Sequence, residues 1–148
     1  MSVSLITKIS FCTAVGSFGG LVASAFGGWD SSLTTLVIFM CIDYIMGIMV
    51  AAFFKKSKKS KTGALDSNAG WRGLLKKGVT LLVVLIACRL ELITGIGFIR
   101  DAVVIAYIAN ETISITENAG LMGVDIPKPI KRAIDILKQK EDEASENN

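Results

Sequence analysis

The chain has 148 residues, 51% of them hydrophobic, with a mean hydropathy of +0.55 and a formal net charge of +3. That is the length of one domain, at a hydropathy high for a soluble one. The absence of histidine removes the commonest general base and a frequent metal ligand. The three cysteines, Cys12, Cys41 and Cys88, lie far apart in apolar runs without metal-ligand spacing. No nucleophile–base constellation can be assembled, so the residues make no case for an enzyme.

The first apolar segment, 9–26, is rich in small residues. Cys12, Gly16, Gly20, Ser24 and Gly28 recur every four positions and line one ridge of a helix. Such ridges let helix backbones approach closely in lipid. Two compatible readings stand: a tight contact within one bundle, or a self-association face of Gly16, Gly20 and Ser24. Ala23-Ser24-Ala25 has the form of a signal-peptide cleavage site. Only Lys8 supplies charge ahead of it, and Gly16, Gly19 and Gly20 interrupt the apolar run, so the segment is expected to remain as a span. A short turn, "GGWDSS", offers Trp29 as an interface anchor.

The second segment, 32–54, carries one charge, Asp43. A bilayer core needs about 20 mostly apolar helical residues, and this run meets that requirement. A basic stretch, 55–77, follows, with Lys55, Lys56, Lys58, Lys59, Lys61, Arg72, Lys76 and Lys77 against one acid, Asp66. By the positive-inside rule it is cytoplasmic. Basic runs also occur in nucleic-acid binders, but beside two membrane segments, topology and anionic lipid headgroups account for it, and no nucleic-acid partner is expected.

The third segment, 78–98, is broken by Arg89 and Glu91; the fourth, 102–121, is more polar. Matched depth predicts an Asp43–Arg89 pair; in the alternative, Glu91 marks the outer end of a shorter third span, with Lys76 and Lys77 snorkelling at the inner end. On a helix, Tyr107, Asn110, Glu111, Ser114, Glu117 and Asn118 fall on one arc roughly 120° wide. Ile105, Ile108, Ala109, Thr112 and Ile115 lie opposite and are expected to face lipid. A carboxylate at the bilayer centre costs at least about 2.5–3.5 kcal/mol, so the polar arc should face protein or water. Three readings are open: it pairs inside the bundle, lines a water-filled lesion, or lies at the interface.

Beyond Pro127 and Pro129, the spacing of Ile130, Ala133, Ile134 and Leu137 predicts a short amphipathic helix lying on the membrane, before a charged tail expected to be disordered. The fold class is therefore an all-α integral membrane protein. Residues 1–121 form a bundle of four transmembrane helices, or three if the fourth segment is interfacial. Residues 122–148 form a cytoplasmic helix and tail.

Three stretches resemble one family: "DYIMG" (43–47), "SNAGWRGLLKK" (67–77) and "YIANETISITENAGLMGVDIPKPIKRAIDIL" (107–137). They are similar to the phage holin family of the toxin-secretion and phage-lysis type. Ser67, Gly70, Gly73, Leu74 and Lys77 match its second motif. Ile108, Ala109, Asn110, Glu111, Glu117, Asn118, Ile126 and Pro127 match its third. Met46 stands where the family often has threonine. The resemblance implies a protein of the bacterial (host) cytoplasmic membrane, without catalytic residues, cofactor or metal, whose partners are membrane lipid and copies of itself. Such proteins oligomerise and open lesions that depolarise the membrane and release an endolysin or a secreted toxin, without required direct contact. The pore-lining candidates are Asp43, Arg89, Asn110, Glu111, Ser114, Glu117 and Asn118. A small multi-span transporter, with Asp43 or Glu111 as coupling residue, and a non-conducting antiholin or membrane scaffold are the alternatives.

Overall fold

The structure, a computed structural model, describes residues 3–58 and 62–146, with the side chains of 3, 4, 137, 138 and 140–146 left aside. The described residues form five helices and no strand: α1 (Val3–Ala25), α2 (Ser31–Met49, continued by a π-helical turn, Val50–Phe54), α3 (Ser67–Thr94), α4 (Ile99–Leu121) and α5 (Lys128–Glu146). Lys59 and Lys61 lie outside the described residues, as does the Leu137 side chain.

The helix ends follow from local chemistry. After α1, Gly27 takes φ +71°, its N–H bonds the Ser24 carbonyl, and the Gly28 N–H reaches back to Ala23. This left-handed cap satisfies carbonyls that a continuing helix would have used. Gly28 therefore belongs to the turn, and the ridge of small residues ends at Ser24. The same arrangement closes α4, with Gly123 at φ +82° and the Val124 N–H on Ala119. In the connection after α2, a Cβ on Gly63 would collide with the Lys55 carbonyl oxygen, so glycine alone fits there.

The core is a seam between α2, α3 and α4. On α2, Leu33, Leu36, Met40, Asp43 and Val50 are buried at alternating three- and four-residue steps or multiples of them, the spacing of a helix face. Val84 and Cys88 on α3 and Val104 on α4 meet the α2 face, with Phe26 closing one end. α4 is the hub, touching α2, α3 and α5. Its buried side includes Ala109, and Ile108 packs on the core, so the side expected to face lipid is partly the bundle side. From Leu5 to Leu21, α1 is exposed on every side, and only its end, through Val22 and Phe26, joins the core. An apolar helix exposed all round belongs in lipid or against another chain.

Two helices, not four, are both long and apolar enough to cross a membrane among the described residues: Leu5–Ala25 and Ser31–Phe54. α3 and α4, at 28 and 23 residues, reach roughly 42 and 35 Å. They have the length and miss the composition because of their charges. α5 is longer than expected. The charged tail continues the helix to Glu146, since Lys, Gln, Glu and Ala are good helix formers that need no apolar face.

One end of the bundle is tied by a polar knot. Asp30 caps α2, its carboxylate accepting the Leu33 N–H at 2.9 Å and pairing with Arg100 at 2.8 Å. Glu91 of α3 accepts the Arg100 backbone N–H at 3.0 Å, capping α4. The Leu33 N–H first, and Arg100 after it, hold the Asp30 carboxyl below its usual value of 3.8 against the opposing effect of burial. A depressed folded value means that the stabilisation is present above that usual value and is lost as pH falls through the lowered one. Asp30→Ala, which removes cap and ion pair, is expected to destabilise by about 0.5–2 kcal/mol. Asp30→Asn, which keeps the cap acceptor, should lose less and flatten the acid limb of the stability curve. Thermal unfolding in detergent across the acid range checks both.

Candidate functional site

Halfway along the seam the apolar face is interrupted. Asp43 lies 13 residues from the start of α2's cap and is 3% exposed; Glu111 on α4 is 6% exposed. Between them sits the ammonium of Lys77 from α3, 2.9 Å from Asp43 Oδ2 and 2.5 Å from Glu111 Oε2. The second Asp43 oxygen accepts a hydrogen bond from Asn118 Nδ2 at 2.9 Å. One charged cluster thus joins α2, α3 and α4, each helix contributing from its buried face.

The backbone spacing explains the convergence. On α3, Lys77 stands seven residues before buried Val84, which puts both on one face. On α4, Glu111 follows buried Val104 by seven, and Asn118 follows Glu111 by seven. The charged groups occupy core positions. Glycine allows the close approach at two places. Gly47 faces the Asn118 amide, and Tyr44 lies over Gly70 and Gly73, its atoms 3.7 and 3.9 Å from where their Cβ atoms would stand. The three stretches singled out in the sequence, around 43–47, 67–77 and 107–118, therefore meet at one place.

The expected Asp43–Arg89 pair is not formed. Arg89 follows buried Ala87 and Cys88 by one step and points outward, exposed. Lys77, read in sequence as a topology marker at a span's edge, takes its place, because α3 begins at Ser67 and carries residue 77 well inside the helix. The polar arc on α4 is divided. Glu111 and Asn118 turn into the bundle, Tyr107 packs on the core, and Asn110 and Glu117 are exposed, Glu117 lying 3.8 Å from Lys58. Ser114 is half-buried and lines a cleft of about 60 Å³ with Asp43, Gly47, Glu117, Asn118 and Lys58. That is room enough for water beside these polar side chains. Gly16 and Gly20 have nothing within 4 Å of a would-be Cβ, so within this chain the ridge makes no tight contact. Lys55, Lys56, Arg72 and Lys76 are exposed, as a basic surface requires.

Among the described residues no group of three or more His, Cys, Asp or Glu could hold a metal ion, and Cys12, Cys41 and Cys88 are free thiols. The cluster offers no activated nucleophile. What it can do is hold three helices in one register, because taking away one member strands the others. Breaking a buried ion pair from one side costs about 3–5 kcal/mol, whereas replacing the whole set with neutral groups is often tolerated. Lys77→Met is accordingly expected to deplete the protein from the membrane. Lys77→Met combined with Asp43→Asn and Glu111→Gln should restore its level, and Arg89→Gln should change it little. Immunoblots of membrane fractions read all three outcomes, and failure of the triple variant to recover would refute the clamp.

Comparison with known proteins gives a consistent picture. The family model of the bacteriophage holin family matches residues 20–139. The chain is 40% identical over 126 residues to an uncharacterized 14.9 kDa protein in the nagH 3′ region of Clostridium perfringens, covering 84% of this chain and 89% of the relative. It is 36% identical over 132 residues to an uncharacterized Listeria monocytogenes protein, covering 88% and 89%. It is 32% identical over 117 residues to a probable holin of Bacillus phage phi105, covering 78% and 81%. No solved structure shows a significant match. The family is one of non-enzymatic membrane proteins, and by a match that takes in all three motif stretches and the charge cluster they build, this chain belongs to the bacteriophage holin family.

Proposed function

We propose that the protein is a phage or prophage holin that crosses the host cytoplasmic membrane several times, self-associates there, and opens lesions that depolarise the cell and release an endolysin. The observation that carries this reading is the position of the charge cluster. In a chain of this family, Asp43 and Glu111 are buried, with Lys77 held between them, inside a bundle whose α1 and α3 present large apolar residues outward. On α3 the exposed residues Val79, Leu82, Ile86, Leu90 and Ile93 follow helical spacing and suit lipid.

In this reading α1 to α4 all cross. The charges that make α3 and α4 less apolar than α1 and α2 sit toward helix ends or are paired in the cluster, where they do not meet hydrocarbon. The basic connection between α2 and α3 lies in the cytoplasm, with α5, and the Asp30–Arg100 knot lies at the outer face. α1, joined to the bundle at one end only, supplies the self-association face through Gly16, Gly20 and Ser24. In the assembled lesion, Asn110 and Glu117 face water or a neighbouring copy.

The deciding experiment is timed induction in a bacterial host, with and without a cytoplasmic endolysin, following growth and membrane potential. Abrupt depolarisation, with lysis only when endolysin is present, is expected. Continued growth with the protein in the membrane would overturn the reading. Gly16→Leu together with Gly20→Leu should shorten the ladder of cross-linked species and delay killing; an unchanged ladder would remove α1 from the interface. Glu111→Gln keeps a hydrogen-bonding group beside Lys77 but removes a charge, and is expected to shift the time of lysis.

A further inference from the structure

At the end of the bundle that carries the basic connection, α2 and α3 part around an open groove of about 510 Å³. Tyr44 and Ile48, one turn apart on α2, form one wall; Trp71 and Leu65 form the other. Trp71 is 61% exposed and Leu65 59%. Gly70 leaves the floor bare, since the nearest atom a Cβ would meet is the Tyr44 hydroxyl, 3.7 Å away. The groove's carboxylate, Asp66, is engaged in capping α3 through the Asn68 N–H at 2.9 Å. The surroundings are basic on both sides in sequence: Lys55 and Lys56 follow α2, while Lys58 turns to Glu117, and Arg72 and Lys76 follow Trp71 on exposed positions of α3.

An apolar wall with an indole at its edge, flanked in sequence by exposed cationic residues, is complementary to one kind of molecule, an amphiphile with an anionic head. A second copy of the chain would bring the same basic connection to the same place and set like charges together. We propose that this groove holds a phospholipid with an anionic headgroup, of the phosphatidylglycerol class, its acyl chain against Tyr44, Ile48 and Trp71 and its phosphate among the flanking lysines and Arg72. The inference rests on the reading above that places this end of the bundle at the cytoplasmic leaflet, where indole rings sit at headgroup level and juxtamembrane basic clusters attract anionic lipid. A lipid bound there would brace the α2–α3 connection about three helical turns before Lys77.

The chain has two tryptophans, so Trp29→Phe leaves Trp71 as the sole reporter. The protein is reconstituted in phosphatidylcholine vesicles containing a minor fraction of phosphatidylglycerol, with brominated acyl chains on one lipid or the other at equal mole fraction. Brominated phosphatidylglycerol is expected to quench Trp71 several-fold more than brominated phosphatidylcholine, and the excess should shrink as salt rises. Gly70→Leu, which fills the floor, should abolish the excess; an excess that survives it would assign the selectivity to a diffuse basic surface and overturn the groove. Lys55→Gln with Lys56→Gln and Arg72→Gln tests the rim without touching the packing and should reduce the excess several-fold. Equal quenching by both lipids in the parent protein overturns the proposal while leaving the membrane placement intact. No quenching by either lipid would show that Trp71 is away from the bilayer, and that result would remove the placement as well.

Discussion

A lysine ammonium cannot be left among hydrocarbon without compensation, and the middle of this bundle is built around that requirement. Between helices in lipid there is little hydrophobic drive, because acyl chains are as apolar as leucine; packing and polar contacts decide which helix faces which. Lys77 must reach Asp43 and Glu111 together. Once it does, the axial register of α2, α3 and α4 follows to within a residue. The apolar seam of Leu33, Leu36, Met40, Val84 and Val104 would tolerate small slides; an ion pair at 2.9 Å would not. The Asp30–Arg100–Glu91 knot repeats the device at the other end of the same three helices.

This division of labour leaves α1 apart. It enters the core only through Val22 and Phe26 and holds no member of either polar cluster. The chain therefore combines a locked three-helix unit with a loosely attached apolar helix. For a family whose members act in membranes, that asymmetry has a physical meaning. Rearranging α1 breaks few contacts, whereas rearranging the other three separates buried charges. Self-association that begins with α1 needs no change inside the unit. The outward edge of the α4 arc, Asn110 and Glu117, is already exposed without such a change.

Much of the architecture was legible in the sequence, and the failures share a cause. The helices announced themselves by apolar runs, and the turn at 27–32 marked the end of the first; Gly95, which caps α3 at φ +71°, lay inside the segment read as running to 98. Asp43, Glu111 and Asn118 stood out because polar groups in such runs need partners. Lys77 was hidden by company. Next to Lys76 and after Lys55, Lys56 and Lys58, it read as one more charge in a basic connection, and its seven-residue spacing to Val84 was masked by ending the span at 78. Arg89 was the more visible cation, yet its position one step beyond Cys88 turns it outward by about 100° from that buried neighbour. The charge-rich stretch to Glu146 was misjudged for a different reason. Helix propensity, without an apolar face, is enough to continue a helix already started by Ile130 and Ile134.

Stability alone does not explain why a membrane bundle would be closed this way. A buried ion cluster seldom outperforms an apolar core of the same volume. Here two carboxyl groups share one ammonium, and the Asn118 amide donates to the second Asp43 oxygen. A small cleft with Asp43, Ser114 and Glu117 on its wall lies beside this group. An apolar core responds to nothing but packing. A charged clamp also responds to the loss of any one partner, because the others are then left unpaired. Breaking it from one side costs about 3–5 kcal/mol, so a bundle held by Lys77 keeps its register only while all three partners hold their places.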